Sequence, residues 1–200
     1  PGQNPNRHPV LFLAHQDVVE VEPGTENDWT HPPFGGVIAP CGDEPGACIW
    51  GRGAIDMKAA LVGLLEGAES LARAGYVPDR TLLFAFGHDE EVGGSGAIAI
   101  ASALKAQGIT IDWILDEGLL VTDGITPGVS RPVAYIGVAE KGYLSLELVA
   151  YGDGGHSSMP PPTTAVGRLA RAVARLEAEP FPARLDGLSQ SMFAQVGPYM

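Results

Sequence analysis

Positive charge is scarce in this chain. Twelve lysines and arginines stand against 24 acids in 200 residues, a formal net charge of -12. Nucleic acids and anionic membrane surfaces both need a basic face, so neither is expected as a partner. Cysteine is nearly absent: Cys41 and Cys48 both lie in the loop CGDEPGAC. They read as two free thiols or one local disulfide, and their spacing excludes a zinc knuckle. No apolar run approaches the roughly 18 residues that a membrane span needs. Asparagine occurs only at Asn4, Asn6 and Asn27, and none opens a glycosylation sequon. The chain opens PGQNPNRHP without a methionine and with no signal peptide in view, so a fragment is expected, with a cytoplasmic compartment favoured. Hydrophobic residues make up 45% and charged residues 18%, which points to a globular chain with a real core rather than a disordered one.

Two patterns alternate over the first 115 residues. Residues 9–14 (PVLFLA), 81–86 (TLLFAF) and 111–115 (IDWIL) are short apolar runs, as expected of strands buried in a parallel sheet. Residues 57–74 carry Leu61, Leu64, Leu65 and Leu71 at helical spacing, with Gly75 after them. Residues 94–107 are Ala-rich and helical in spacing, with Gly108 as the C-terminal cap. Strand, helix, strand, helix, strand is the signature of an α/β layer with a mostly parallel sheet and flanking helices. Residues 29–50, rich in Pro and Gly, read as a hairpin or long loop. The composition shifts near residues 128–133. Beyond it, residues 141–150 (KGYLSLELVA) alternate like a one-sided antiparallel strand. Residues 163–179 form an amphipathic helix with Thr163 or Thr164 as N-cap. Two domains are expected, residues 1–130 and a smaller α+β domain, 131–200.

Polar residues gather where the apolar runs stop. The first run ends in AHQDVV, with His15 and Asp17. The second ends in GHDEEVGG, with His88, Asp89, Glu90 and Glu91. The third ends in LDEG, with Asp116 and Glu117. Open parallel sheets bind ligands outside the carboxyl ends of their strands, and right-handed crossovers bring those ends to one edge. A fourth segment, GRGAIDMK, puts Asp56 at the start of the first helix, close to the same edge. So many carboxylates together repel one another unless a cation sits among them. Mixed imidazole and carboxylate donors suit Zn²⁺ or a similar first-row ion, and several carboxylates around one imidazole suggest two ions sharing a bridging carboxylate. Rival motifs fail. Gly93-Gly94-Ser95-Gly96-Ala97 has Ala where a GxSxG elbow needs Gly, which counts against a serine hydrolase at Ser95 or Ser157.

The segments AHQDVV, WTHPPFGG, IWGRGAIDMKA, LLFAFGHDEEVGGSGA, LDEG, GVAEKGY and GGHSSMPP occur in this order. Together they resemble the co-catalytic zinc aminoacylase and carboxypeptidase family, in its carboxypeptidase S-like branch, from about residue 9 to about residue 182. The resemblance implies a zinc-exopeptidase-like catalytic domain with part of an inserted lid and dimerisation domain. It implies His15 as a ligand of the first zinc, Asp17 as the acid orienting that imidazole, and Asp56 as the bridging carboxylate, with a cis peptide after it. It implies Glu90 as general base, Glu91 as a ligand of the second zinc, Glu117 as the remaining ligand of the first (Asp116 beside it as the weaker candidate), and His156 as an oxyanion-stabilising lid residue reaching a partner subunit. The implied cofactor is two Zn²⁺ ions per active site, with Co²⁺ or Mn²⁺ as substitutes. The implied partners are a peptide or N-acyl amino acid and a second copy of the chain. The implied reaction is hydrolysis of an amide bond next to a free carboxylate. No histidine follows His156, so the family's later histidine ligand has no counterpart here, and the chain is expected to stop inside the lid. The alternative is a catalytically incomplete fragment or degenerate relative that only binds or dimerises.

Overall fold

In the computed structural model, which describes residues 1–42, 44–118, 120–185 and 187–200, the first apolar run becomes the central strand β1, Val10–His15. A hairpin follows, β2 (Val37–Cys41) paired antiparallel with β3 (Glu44–Trp50). A disulfide between Cys41 and Cys48 closes it, deciding between the two readings of that loop. An irregular turn at Ala54–Ala59 leads into α1, Ala60–Arg73, which ends at Gly75 with φ +71°. Next come β4 (Leu82–Gly87), α2 (Ser95–Ala106) and β5 (Trp113–Leu115). The strand order is β4-β1-β5, all parallel. α1 packs on β1 and α2 on β4, so the expected parallel sheet with flanking helices is present.

Val10, Leu11 and Ala14 are the buried apolar residues of β1, each under 5% exposed. Phe12 stacks on Phe84 at 5.2 Å between ring centroids and meets the edge of Trp113 at 5.9 Å. Burial does not extend evenly across the sheet. Trp113, Ile114 and Leu115 are each about half exposed. An apolar groove of about 470 Å³ opens between α2 and the sheet, lined by Leu11, Leu13, Ile100, Leu104 and Ile114 among others.

The chain divides into two compact units, Pro1–Gly118 and Leu119–Met200. In the second, β6 (Val121–Thr122) pairs antiparallel with β7 (Val133–Ala134), so the composition shift near residues 128–133 falls within this hairpin. Val129, in the connection between these strands, is buried, and Thr126 bonds the Tyr135 hydroxyl at 2.8 Å. α3, Ala165–Ala178, begins at Thr164, whose hydroxyl accepts the Gly167 N–H at 3.0 Å. Of the two threonines offered as N-cap, Thr164 takes the role. A final helix, α4 (Gly187–Val196), was not anticipated from the sequence. The strand expected at residues 141–150 does not form. An alternating pattern makes a strand only when a neighbour supplies the ladder and covers one face. Here Tyr143 and Leu144, on opposite parities, are both largely exposed.

Candidate metal centre

Because the three strands are parallel, their carboxyl ends share one edge. His15 ends β1 opposite Gly87 of β4, and residues 88–91 follow at once. Asp116 and Glu117 follow β5. Asp56 arrives from the irregular turn, whose Asp56–Met57 peptide is cis. Gly53 precedes it at φ +77°, where a Cβ would lie 2.1 Å from Val18 Cγ1. Only glycine meets both demands. Lys58 ties the same turn to the residue after β1 by donating to the Gln16 carbonyl at 2.8 Å.

Among the described residues, His15 is the buried polar residue of the core, at 3% exposure. Its backbone N–H donates to Met57 Sδ at 3.2 Å, and Met57 is itself buried. Its Nδ1 lies 3.1 Å from the Asp17 carbonyl oxygen and 3.4 Å from Asp17 Oδ1. Its Nε2 lies 3.1 Å from Asp56 Oδ1 and 3.5 Å from Glu117 Oε2. Asp17 offers Nδ1 only acceptors, so Nδ1 carries the proton. Nε2 then presents a lone pair to two carboxylates. Acceptors face acceptors there, and a proton or a metal ion must lie between them. Asp17 also reaches across the edge, where Oδ2 accepts the Glu91 N–H at 3.1 Å.

Two overlapping sets of donor atoms have each member within 4.8 Å of the others: His15 with Asp56 and Glu91, and His15 with Glu90 and Glu117. One imidazole and four carboxylates form a mixed nitrogen and oxygen set that fits Zn²⁺ or a related first-row ion. Protonation follows the crowding. Desolvation first, then the charges of Glu91, Asp17 and Asp56, raise the Glu90 carboxyl against the pull of His15. Desolvation likewise leads in raising Glu117, with Asp56 adding to it. For His15, desolvation is the largest influence and acts downward, yet the bond to Asp56 and the charges of Glu117 and Asp17 together raise the imidazole. For Asp17, desolvation again is largest and acts upward, but the N–H groups of Glu91 and Glu90 outweigh it and hold the carboxyl low.

His15, Asp17, Asp56, Glu90, Glu91 and Glu117 therefore converge. Asp116 turns instead to its own backbone, accepting the Glu117 N–H at 2.9 Å. His88 is exposed. Ser95 gives its hydroxyl to Asp89, with no imidazole as base. His156 belongs to the second unit, where its Nδ1 bonds Ser158 Oγ at 2.7 Å in an exposed turn. Sequence reasoning missed Met57 beneath His15, although its place next to Asp56 was a signal. Met57→Ala is expected to destabilise the fold by about 2–5 kcal/mol, and the volume-conserving Met57→Leu by under about 1.5 kcal/mol. Denaturant midpoints of the two variants measure the difference. Equal midpoints would contradict the packing role.

Comparison with known proteins is specific. The profile of peptidase family M20/M25/M40 matches residues 11–200. The N-fatty-acyl-amino acid synthase/hydrolase PM20D1 of Xenopus tropicalis is 42% identical over 194 residues, covering 96% of this chain and 36% of that protein. The probable carboxypeptidase S-like 2 of Dictyostelium discoideum is 42% identical over 182 residues, 90% of this chain and 34% of that protein. Carboxypeptidase S of Saccharomyces cerevisiae is 38% identical over 188 residues, 90% of this chain and 31% of that protein. The chain thus spans about a third of the length of these relatives.

Proposed function

The chain belongs to peptidase family M20/M25/M40, and from that premise we propose that it carries the metal-binding edge of a hydrolase cleaving an amide bond next to a free carboxylate. A peptide or an N-acyl amino acid is the proposed substrate, in keeping with the names of its relatives. The observation that carries the reading is the buried imidazole of His15, whose Nε2 faces the carboxylates of Asp56 and Glu117. A bound divalent cation would relieve the repulsion among these carboxylates and meet the Nε2 lone pair at neutral pH.

His15, Asp56 and Glu117 would hold one zinc ion, and Asp56 and Glu91 would serve a second. When bound, such ions supply a water of lowered pKa and positive charge for a carbonyl oxygen. The remaining work falls to side chains. Glu90 takes the proton of the attacking water and returns it to the leaving amine, a role its raised pKa suits. The Asp17 backbone carbonyl accepts Nδ1–H of His15, with the Asp17 carboxylate 3.4 Å away, and so keeps the Nε2 lone pair turned toward the carboxylates. His156 is the proposed donor to the developing oxyanion. Pairing of two copies through the second unit belongs to the same proposal. Its support is the exposed apolar stripe of α3, Val166, Val173 and Leu176.

The test uses the full-length protein. Metal content is measured, and hydrolysis of an N-acyl amino acid and of a dipeptide is followed before and after chelation. Loss of activity on chelation and recovery with Zn²⁺ is the expected result. Hydrolysis indifferent to the chelator would overturn the metal mechanism, and metal binding without any hydrolysis would favour the non-catalytic alternative.

A further inference from the structure

We propose that Asp89 is a positioning residue for the Glu90–Glu91 pair. The roles of those two carboxylates rest on the hydrolase reading above; how they are held rests on the geometry of one loop. Asp89 comes directly before the pair, and its side chain turns away from the metal ligands to the start of α2. Its Oδ2 accepts the Ser95 N–H at 2.8 Å and the Ser95 hydroxyl. Its Oδ1 accepts the Gly96 N–H at 2.7 Å. Its backbone carbonyl accepts the N–H groups of Gly93 at 3.0 Å and Gly94 at 2.7 Å. One residue thereby closes the loop on itself and pins it to a helix. Glu90 and Glu91 sit inside that closed loop.

Gly96 allows the approach. A Cβ there would lie 2.9 Å from Asp89 Oδ1 and 2.9 Å from His88 Nδ1. On its other side the pair is held by Asp17, whose carboxylate takes the Glu91 N–H while its backbone carbonyl meets His15 Nδ1. The loop is therefore fixed to β1 through Asp17 and to α2 through Asp89. Hydrogen bonds from N–H and O–H groups to an ionised carboxylate are about twice as strong as neutral ones. Asparagine is the same size but has one acceptor oxygen. Its amide would meet a donor at either Ser95 or Gly96, so one side of the clamp opens.

The experiment compares full-length native protein, Asp89→Asn and Ser95→Ala. Zinc affinity is read by competition with a chromophoric chelator, kcat and KM with an N-acyl amino acid, and thermal midpoints on the metal-free proteins. Asp89→Asn is expected to lose about 10–100-fold in zinc affinity and in kcat, the range found when groups supporting metal ligands are removed. KM is expected to stay within about threefold, since no substrate contact is removed. Ser95→Ala deletes one of the three side-chain bonds and is expected to lose roughly fivefold in zinc affinity. Zinc affinity and kcat both within about twofold of native in folded Asp89→Asn, whatever its midpoint, would show that Asp89 only caps α2 and would overturn the proposal. If Asp89→Asn does not fold, Ser95→Ala decides, and an unchanged zinc affinity there overturns it. Zinc affinity is read without substrate. A native protein that binds zinc but hydrolyses nothing would end the hydrolase reading while the affinity of Asp89→Asn still judged the clamp.

Discussion

Glu90→Gln is expected to lower kcat of the full-length protein by about 10²–10⁴-fold, the usual worth of a positioned general base. Glutamine keeps the size and one acceptor oxygen but cannot take a proton at neutral pH. Glu90 lies among groups that discourage its ionisation, so its carboxyl sits above the ordinary range. A carboxyl tuned upward both accepts a proton from water and releases it to an amine near neutral pH. The same residue also lies within ligand reach of His15 and Glu117, so a second measurement separates base from ligand. If Glu90 acts as base, zinc affinity of Glu90→Gln stays near native while kcat collapses. If it is a ligand, affinity falls as well. Native kcat in Glu90→Gln would sink the assignment of the base.

The stability of the metal-free protein is expected to fall as pH rises from mildly acidic to neutral, and Zn²⁺ is expected to reverse that trend. Glu90 and Glu117 are raised above their ordinary value of 4.5. Between that value and their folded values the native state holds more protons than the unfolded state, so stability declines with rising pH. His15 is raised above 6.5, and its contribution is complete below 6.5 and lost as pH climbs through the folded value. Asp17 and Asp89 are lowered from 3.8; their contributions are present above 3.8 and lost as pH falls through the folded values, so they do not alter the neutral side. Zinc needs these ligands deprotonated, so its binding tightens over the same interval. Ligand at about 1,000 times its Kd adds about 4 kcal/mol. Thermal midpoints at about pH 5 and pH 7.5, each with and without Zn²⁺, test this. The expected result is a large zinc-induced rise at the higher pH and little at the lower. Equal rises at both, or a metal-free protein more stable at the higher pH, would contradict the assignment of these groups.

Much of the first unit was legible because its signals are local. Apolar runs of strand length, Leu61 and Leu64 at helical spacing, and glycines at Gly75 and Gly108 are set by neighbours in sequence. The meeting of AHQDVV, DEEVGG and LDEG at one edge was also legible, because a parallel sheet leaves its strand ends no other arrangement. Residues 141–150 show the limit. Alternation of Tyr143, Leu144 and Leu146 describes a face, but a strand also needs a partner. β5 reads as a buried run and is half exposed, since burial depends on what covers a face rather than on what composes it.

By itself the sequence determined the α/β class, the order of the elements in the first unit, and which residue types arrive at the shared edge. Only the tertiary structure decided how those residues divide their work. Asp116 and Glu117 are neighbours with the same charge, yet one bonds its own backbone and the other faces His15. Asp89 and Glu90 are likewise adjacent, yet one clamps a helix and the other joins the ligand cluster. The reason is one of range. Helices and turns are settled by contacts three or four residues apart. The contacts that build this site join His15 to Asp56 across 41 residues and Asp17 to Glu91 across 74. No local pattern encodes which oxygen meets which donor over such a span.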